Sequence, residues 1–188
     1  MDRTKITINL KALLSNLKYA SALAPGKKIM SVIKADGYGH GAIRVAKTLT
    51  ASNSFAVARL EEAEDLRMAG LNSQVCILEG VSSEQDFLRA RELGLQLILH
   101  SWHQVTLYKK YGPGVPIWLK IDSGMGRLGF AIHQCLEVLK SANGLNLIGI
   151  VSHLSHADDV SSNRTVEQLQ VLSKEILPIV KKHKLEFN

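Results

Sequence analysis

The residues best suited to chemistry lie where short apolar runs give way to glycine-rich turns. Lys34 follows the apolar run 29–33 and opens segment 34–41, KADGYGHG. α/β proteins place their sites at the carboxyl ends of parallel strands, and a partly buried lysine there can form a Schiff base with an aldehyde. The glycines let the backbone approach a ligand closely. The alternative is a lysine without a functional role, whose side chain extends its charged amine into solvent at the end of the strand.

A second strand end leads into a glycine-rich turn within segment 117–130. Lys120 and Asp122 alternate with apolar neighbours there, so both side chains should point to the same side of a strand. A charge buried on that side is costly unless it is paired. Arg127, in the turn that follows, can bind a carboxylate through two parallel hydrogen bonds. The alternative is a structural pair of Lys120 and Asp122 with a surface arginine.

A third cluster of polar residues follows the apolar run 147–151. His153 and His156 stand three residues apart, with Asp158 and Asp159 close by. Such side chains can bind a metal, but residues three apart in an extended segment face opposite ways. We therefore predict no metal site, and we expect His153 to be a site residue. The alternative for His153 is an ordinary core or loop histidine.

The elements that must position these residues follow an alternating strand and helix pattern. Buried parallel strands appear as continuous apolar runs, and they are predicted at residues 29–33, 55–58, 75–78, 95–99, 117–121 and 147–151. Helical spacing occurs between them, beginning with Leu10, Leu13, Leu14 and Leu17. Repeated strand–helix units require a parallel sheet. The pattern alone leaves open both a doubly wound sheet and part of a (β/α)8 barrel.

Local chemistry indicates where helices begin and end. The sequences that start at Ser82 and Ser101 have capping-box spacing, in which a serine oxygen accepts from an early backbone N–H of the helix. Gly70, Gly94 and Gly144 each lie between a helical stretch and a strand, where a left-handed residue can end a helix. An acidic cluster on one predicted helix is interpreted as a solvated face; it comprises Glu61, Glu62, Glu64 and Asp65.

The composition is that of a globular protein, with 188 residues, 46% of them hydrophobic and 21% charged. No apolar run approaches the roughly 20 residues that cross a bilayer, and the N-terminus lacks the apolar core of a signal peptide. We therefore predict a cytoplasmic protein with no membrane contact. The net charge of +6 is scattered along the chain, which argues against nucleic-acid binding and fits an anionic cofactor or substrate. Cys76 and Cys135 are predicted to be reduced, buried thiols.

Three segments together resemble the alanine racemases, pyridoxal-phosphate enzymes with a barrel fold. They are residues 32–41, VIKADGYGHG, residues 120–130, KIDSGMGRLGF, and the stretch from His153 to Asp158. The three occur in the family's order, and the resemblance extends over nearly the whole chain. It implies an α/β fold of the (β/α)8 TIM-type barrel class, truncated to about six βα units, with the C-terminal β-domain absent. Residues 1–188 would then form one incomplete pyridoxal-phosphate-binding barrel domain.

The resemblance implies roles for five residues. Lys34 resembles the catalytic lysine that holds pyridoxal 5'-phosphate as an internal aldimine and then acts as one of two bases. Tyr38 resembles a contact to the cofactor phosphate, and His153 resembles a histidine at the inner face of the cofactor. Arg127 resembles the arginine near the cofactor's phenolic oxygen and the substrate carboxylate. Lys120 matches a position that is carbamylated in many members, where the added carboxylate orients that arginine.

By the same resemblance, the complete enzyme would be a homodimer that interconverts L- and D-alanine and supplies D-alanine for peptidoglycan. In the family, the second base is a tyrosine from the C-terminal domain, delivered across the dimer interface, and it lies beyond this chain. We therefore expect the chain alone to be inactive. Two alternatives stay open: a non-catalytic pyridoxal-phosphate homeostasis protein of the same fold, and an inert fragment that binds nothing.

Overall fold

The computed structural model describes residues 4–141 and 144–187. The chain divides into two compact units, of which the first ends at Leu78 and the second begins at Glu79. Each unit is built from parallel strands joined through helices, which is the architecture that the apolar runs predict. No helix in the described ranges is long and apolar enough to cross a membrane.

The first unit contains three strands and four helical segments. In chain order these are α1 (Leu10–Leu23), β1 (Met30–Val32), α2 (Lys34–Tyr38), α3 (Ala42–Thr48), β2 (Ser54–Val57), α4 (Leu60–Met68) and β3 (Val75–Ile77). The central strand is β2, which pairs in parallel with β1 through Ser31 and Phe55 and with β3 through Ala56 and Cys76.

Burial in the first unit is greatest along β2 and β3. Ala56, Val57, Cys76 and Ile77 are fully buried, as expected for parallel strands that are apolar and covered on both faces. By contrast, Val32 in β1 is 41% exposed. Burying a side chain of this size contributes roughly 1.5–3 kcal/mol, so β2 and β3 form the more stable part of the frame that carries the end of β1.

In its described residues, the second unit contains five strands and five α-helices. These are β4 (Gln96–Leu99), β5 (Ile117–Asp122), β6 (Phe130–Ala131), β7 (Leu147–Val151) and β8 (Glu186–Phe187), with α5 (Glu84–Glu92), α6 (Trp102–Tyr111), α7 (Cys135–Ser141), α8 (Arg164–Val171) and α9 (Leu177–His183). A π-helical turn, Leu172–Ile176, joins α8 to α9.

The strand β5 organises the second unit, since it pairs in parallel with β4, β6 and β7. Its residues Ile117, Leu119 and Ile121 are at most 1% exposed. On the helical side, the rings of Phe87 in α5 and Tyr108 in α6 meet edge to face, with centroids 6.0 Å apart. This aromatic contact between α5 and α6 supports the unit in which β5 leads to the polar residues at its end.

The predicted strands are confirmed, each to within one residue at either end. The strand β8 was not predicted. It pairs in parallel with β7, with Glu186 opposite Gly149, and so adds a further strand to the sheet. The helix-ending glycines are confirmed, because Gly70, Gly94 and Gly144 all have positive φ. Ser101 caps α6 as expected.

One predicted cap is displaced by a residue. The serine that caps α5 is Ser83, whose hydroxyl accepts from Asp86 N at 3.2 Å, and not the preceding Ser82. Both serines offer the same side chain, so the choice depends on where the extended backbone turns into the helix. Ser83 is the residue with the extended conformation, φ −128° and ψ 158°, that a capping residue adopts.

Candidate active site

Lys34 is a half-buried residue at the point where β1 gives way to a left-handed turn. Inside α2 the backbone is not right-handed: Ala35 has φ 51° and ψ 52°, Asp36 has φ 52° and ψ 46°, and Tyr38 has φ 53°. This conformation costs about 1–2 kcal/mol for each residue other than glycine. These three residues therefore adopt a backbone conformation that their residue types disfavour, which is a feature of functional sites.

Hydrogen bonds within the turn offset this strain. Gly37 N donates to Ile33 O at 2.8 Å, and Gly41 N donates to Asp36 O at 2.7 Å. The Asp36 carboxylate accepts from Ala42 N at 2.8 Å, which joins the turn to the start of α3. A side chain at Gly37 would meet Ala42 N at 3.2 Å, so a glycine is required there for close approach as well as for its positive φ.

The carboxylate of Glu62 lies against the end of β1. Its Oε1 accepts from Ala35 N at 2.6 Å, and its Oε2 accepts from Ala58 N at 2.6 Å and from Arg59 N at 3.0 Å. The interpretation of the acidic cluster on α4 as a solvated face is therefore wrong for Glu62. Backbone N–H groups occupy both oxygens of Glu62.

Tyr38, the predicted phosphate contact, stands on the outer side of the turn. Its side chain is 59% exposed, so its hydroxyl is accessible to a ligand. Its backbone carbonyl lies 3.0 Å from His40 Nδ1, which ties the two aromatic residues of the glycine-rich segment together. The first unit therefore offers one amine and one phenol on a backbone turn of defined shape.

In the second unit, Lys120 is a buried lysine, with 8% of its surface exposed. Burial lowers the pKa of its amine, and the positive charge of Arg127 lowers it further, while Asp122 acts in the opposite direction. Desolvation thus outweighs the neighbouring carboxylate. The charge of Arg127 is therefore felt at Lys120, although the guanidinium itself belongs to an exposed residue.

Asp122 shapes the turn that carries Arg127. Its Oδ1 accepts from Gly124 N and Met125 N, both at 2.9 Å, and its two oxygens accept from Gly126 N at 3.1 and 3.0 Å. Partial burial raises the pKa of Asp122, but these backbone donors, together with Lys120, lower it overall. Asp122 is thus a loop-forming residue rather than simply the ion-pair partner of Lys120.

Gln168 of α8 joins the ends of β5 and β7. This residue is 4% exposed, and its Nε2 donates to Ser123 Oγ at 2.9 Å and to His153 O at 3.1 Å. Its Oε1 accepts from Ser155 N at 2.9 Å and from Ser155 Oγ at 3.0 Å. All four hydrogen-bonding positions of the amide are filled, as a buried amide requires.

Ser123 receives a second hydrogen bond, from Ser152 Oγ at 2.8 Å, so that side chains from β5, β7 and α8 meet there. His153 itself is exposed. His156 Nδ1 lies 2.8 Å from Ser155 Oγ, within the same loop. Among residues 4–141 and 144–187, no group of three or more histidine, cysteine or carboxylate side chains could hold a metal.

The structure thus places Lys34 and Tyr38 at the end of β1, and Lys120, Arg127 and His153 at the ends of β5 and β7. Sequence reasoning missed two residues of this framework, Glu62 and Gln168. Glu62 is the third residue of its helix, where an acidic side chain commonly accepts from the backbone before the helix, so a local signal existed. Gln168 had none, because Ser123 lies 45 residues away.

Comparison with known proteins identifies the fold that holds these residues. A family described as "Alanine racemase, N-terminal domain" matches residues 8–186. The chain belongs to this family. The alanine racemase of Coxiella burnetii (strain CbuG_Q212) is 39% identical over 177 residues, which cover 91% of this chain and 48% of that protein. The alanine racemase of Nitrosococcus oceani is also 39% identical, over 90% of this chain and 49% of that protein.

Solved structures of alanine racemases agree with this family. The structure from Acinetobacter baumannii superposes with a TM-score of 0.85 at 31% identity, covering 96% of this chain and 54% of that one. The enzyme from Pseudomonas aeruginosa gives 0.79 at 31% identity, over 95% of this chain and 50% of that one. These matches confirm the predicted fold class, part of a parallel (β/α)8-type barrel. The chain spans about half the length of the curated relatives it matches.

Proposed function

We propose that this chain is the cofactor-binding part of an alanine racemase, and that Lys34 is the residue that binds pyridoxal 5'-phosphate. The observation that carries the proposal is the lysine at the end of β1, half-buried and followed by a strained left-handed turn, in a chain of the alanine racemase N-terminal family. Strain of this kind persists where function requires a defined backbone shape.

The residues present fit an anionic aldehyde cofactor. A primary amine, Lys34 Nζ, can attack an aldehyde, and the accessible hydroxyl of Tyr38 can donate to a phosphate. Arg127 and His153 are exposed at the ends of their strands, so both are accessible to a ligand. When bound, the cofactor supplies an electron-withdrawing ring that stabilises negative charge on the substrate Cα.

Within this proposal, Lys34 Nζ holds and returns the Cα proton on one face of the substrate. Racemisation needs a proton donor and acceptor on each face, so the second one must come from elsewhere in the complete enzyme. Arg127 binds the substrate carboxylate through parallel N–H donors, on a loop that Asp122 holds by its backbone. His153 would contact the cofactor.

Lys120 supports Arg127 in this scheme. Because burial lowers the pKa of Lys120, more of its amine is neutral than in an exposed lysine, and a neutral amine is the form that adds carbon dioxide. A carbamate would carry a negative charge beside Arg127 and orient it. We propose alanine as the substrate, since the relatives are named alanine racemases. The modification and a cytoplasmic homodimer as the working form are proposed from the resemblance of the three segments alone.

Complementation tests the proposal. The chain is co-expressed with the C-terminal half of a related racemase in a bacterial strain that needs D-alanine for growth. We expect growth with the wild-type chain and none with Lys34→Ala. The relative's own N-terminal half serves as the positive control for assembly. Growth with that control, but none with this chain while both are soluble, would contradict the proposal.

A further inference from the structure

The Glu62 carboxylate connects the ends of two neighbouring strands in the first unit. Through Oε1 it accepts from Ala35 N, one residue after Lys34, and through Oε2 it accepts from Ala58 N and Arg59 N, just after β2. Two of these three contacts measure 2.6 Å, which is short for a hydrogen bond from a backbone N–H to an oxygen. The carboxylate also lies in the first turn of α4, where the helix dipole favours a negative charge.

This contact fixes the backbone of Lys34 itself. The peptide group between Lys34 and Ala35 is planar, so the direction of the Ala35 N–H determines the orientation of the whole plane, including Lys34 Cα. On the other side of the lysine, Ile33 N donates to Ala56 O at 2.8 Å. With the backbone held both before and after Lys34, its side chain leaves the end of β1 in one direction.

The left-handed turn makes this restraint necessary. Ala35 is the first residue with positive φ, 51°, and Asp36 and Tyr38 follow with 52° and 53°. None of the three has a glycine's freedom in this conformation, so the turn has to start from a peptide plane of defined orientation. The hydrogen bond from Ala35 N to Glu62 holds that plane at the position where the turn begins.

We propose that Glu62 is a positioning residue for Lys34: its carboxylate, shared between the backbones after β1 and β2, fixes the peptide plane between Lys34 and Ala35 and so aims the lysine amine. The proposal rests on the proposed function for its catalytic consequence, but its structural part does not depend on a cofactor. Glu62 touches neither substrate nor reacting atoms here, and its effect is transmitted through the backbone of Lys34 and Ala35.

Amide hydrogen exchange tests the structural part. In Glu62→Ala, exchange at the amides of Ala35, Ala58 and Arg59 should accelerate at least about tenfold, since each loses a hydrogen bond to a charged group. Glu61→Ala is the matched control, because it removes an exposed carboxylate from the same first turn of α4. Exchange at Ala35 that is unchanged in Glu62→Ala, or equally accelerated in Glu61→Ala, would overturn the proposal.

Cofactor trapping tests the catalytic part. Each variant is incubated with pyridoxal 5'-phosphate and reduced with borohydride, and the ratio of adduct on Lys34 to adduct on the exposed Lys47 is read from peptide masses. We expect this ratio to fall at least about tenfold in Glu62→Ala. Glu62→Gln should be intermediate, because an amide oxygen can still accept from Ala35 N while its NH2 group faces backbone donors. A general loss of stability would not alter the ratio in this graded way.

The outcomes separate this inference from the proposed function. A Lys34 ratio in Glu62→Ala equal to that of the wild type would overturn the inference alone. If the wild type forms no adduct on Lys34 although exchange at Ala35 accelerates in Glu62→Ala, the proposed function fails and the structural role of Glu62 stands.

Discussion

Gln168 Nε2 donates a hydrogen bond to Ser123 Oγ at 2.9 Å, and this contact joins the second turn of α8 to the end of β5. The same amide reaches His153 O and Ser155 N after β7. One buried side chain therefore holds two of the loops that carry candidate site residues. A glutamine suits this place because its NH2 group can donate to Ser123 Oγ and His153 O while its oxygen accepts from Ser155 N.

Replacing Gln168 with leucine should destabilise the protein by about 2 kcal/mol, because Ser123, Ser155 and His153 O would all lose a partner inside the protein. Chemical denaturation measures this free energy of unfolding. Gln170→Leu, on the exposed face of the same helix, is the matched control and should change stability by less than about 0.5 kcal/mol. Equal effects of the two substitutions would contradict the role assigned to Gln168.

A comparable contact occurs at Gln104 in α6, which is 3% exposed. Its Nε2 donates to Glu79 O at 2.9 Å, and its Oε1 accepts from His100 N at 2.9 Å. The side chain of Gln104 thus links Glu79, which precedes α5, to His100, which follows β4. Glu62, Gln104 and Gln168 thus share one task, although they lie on different helices: each binds backbone groups that follow the ends of strands.

Asp122→Asn should weaken the protein in a pH-dependent way. The carboxylate has a lowered pKa in the folded state, so its contribution to stability is complete above the ordinary aspartate value of 3.8 and is lost as the pH falls through the lowered pKa. We expect a difference of about 1 kcal/mol at neutral pH, kept small by partial exposure.

Denaturation of the wild type and Asp122→Asn at a series of acidic pH values measures this difference. It should shrink as the wild-type carboxylate becomes protonated. Asp65→Asn, on an exposed part of α4, controls for a general change in net charge. A difference that stays constant through the acidic range would mean that the charge of Asp122 does not support its loop.

Lys120→Met should have the opposite pH profile. The pKa of Lys120 is lowered by burial, so a positive charge on this amine is less favourable in the folded protein than in the unfolded chain. Between that lowered pKa and the ordinary lysine value of 10.5, the unfolded chain binds more protons, and wild-type stability should rise with pH.

Because methionine has a similar shape and no charge, Lys120→Met should remove this rise and should match or exceed wild-type stability at neutral pH. The measurement is the free energy of unfolding at neutral and at alkaline pH, with the exposed Lys109→Met as control. This expectation applies to the chain without the carbamate proposed above. Strong destabilisation of that chain by Lys120→Met at neutral pH would contradict the cost assigned to the buried charge.

The two cysteines should be inert in the folded protein. Burial raises the pKa of Cys76 to about 12 and that of Cys135 to about 11, and the thiolate is the reactive form. Iodoacetamide at neutral pH should therefore label neither residue until urea unfolds the chain, as mass spectrometry of the alkylated protein will show. Rapid labelling of the native chain would contradict the burial of that thiol.

Much of the frame could be predicted from local sequence, because buried parallel strands are continuous apolar runs and need no distant information. Strands such as β2 and β5 fall where those runs lie. The glycines after the helices and the capping Ser101 were predictable for the same reason. These features depend on residues within a few positions of one another.

The parts that escaped prediction depend on partners far along the chain. The left-handed backbone of Ala35 and Asp36 is supported by Glu62, 27 residues from Ala35, so no local preference indicates it. Gln168 resembles any helix glutamine until Ser123 is brought beside it by folding. The strand β8 is only two residues long, too short for an apolar run to indicate it. Tertiary contacts, rather than local preference, settle such positions.

The central claim, that Lys34 is the lysine that binds the cofactor, has one direct test. The purified chain is incubated with pyridoxal 5'-phosphate, reduced with borohydride and digested, and peptide masses locate the adduct. We predict one adduct, on Lys34, which is lost in Lys34→Ala and retained in Lys47→Ala. No adduct on Lys34, or adducts spread evenly over exposed lysines, would contradict the claim.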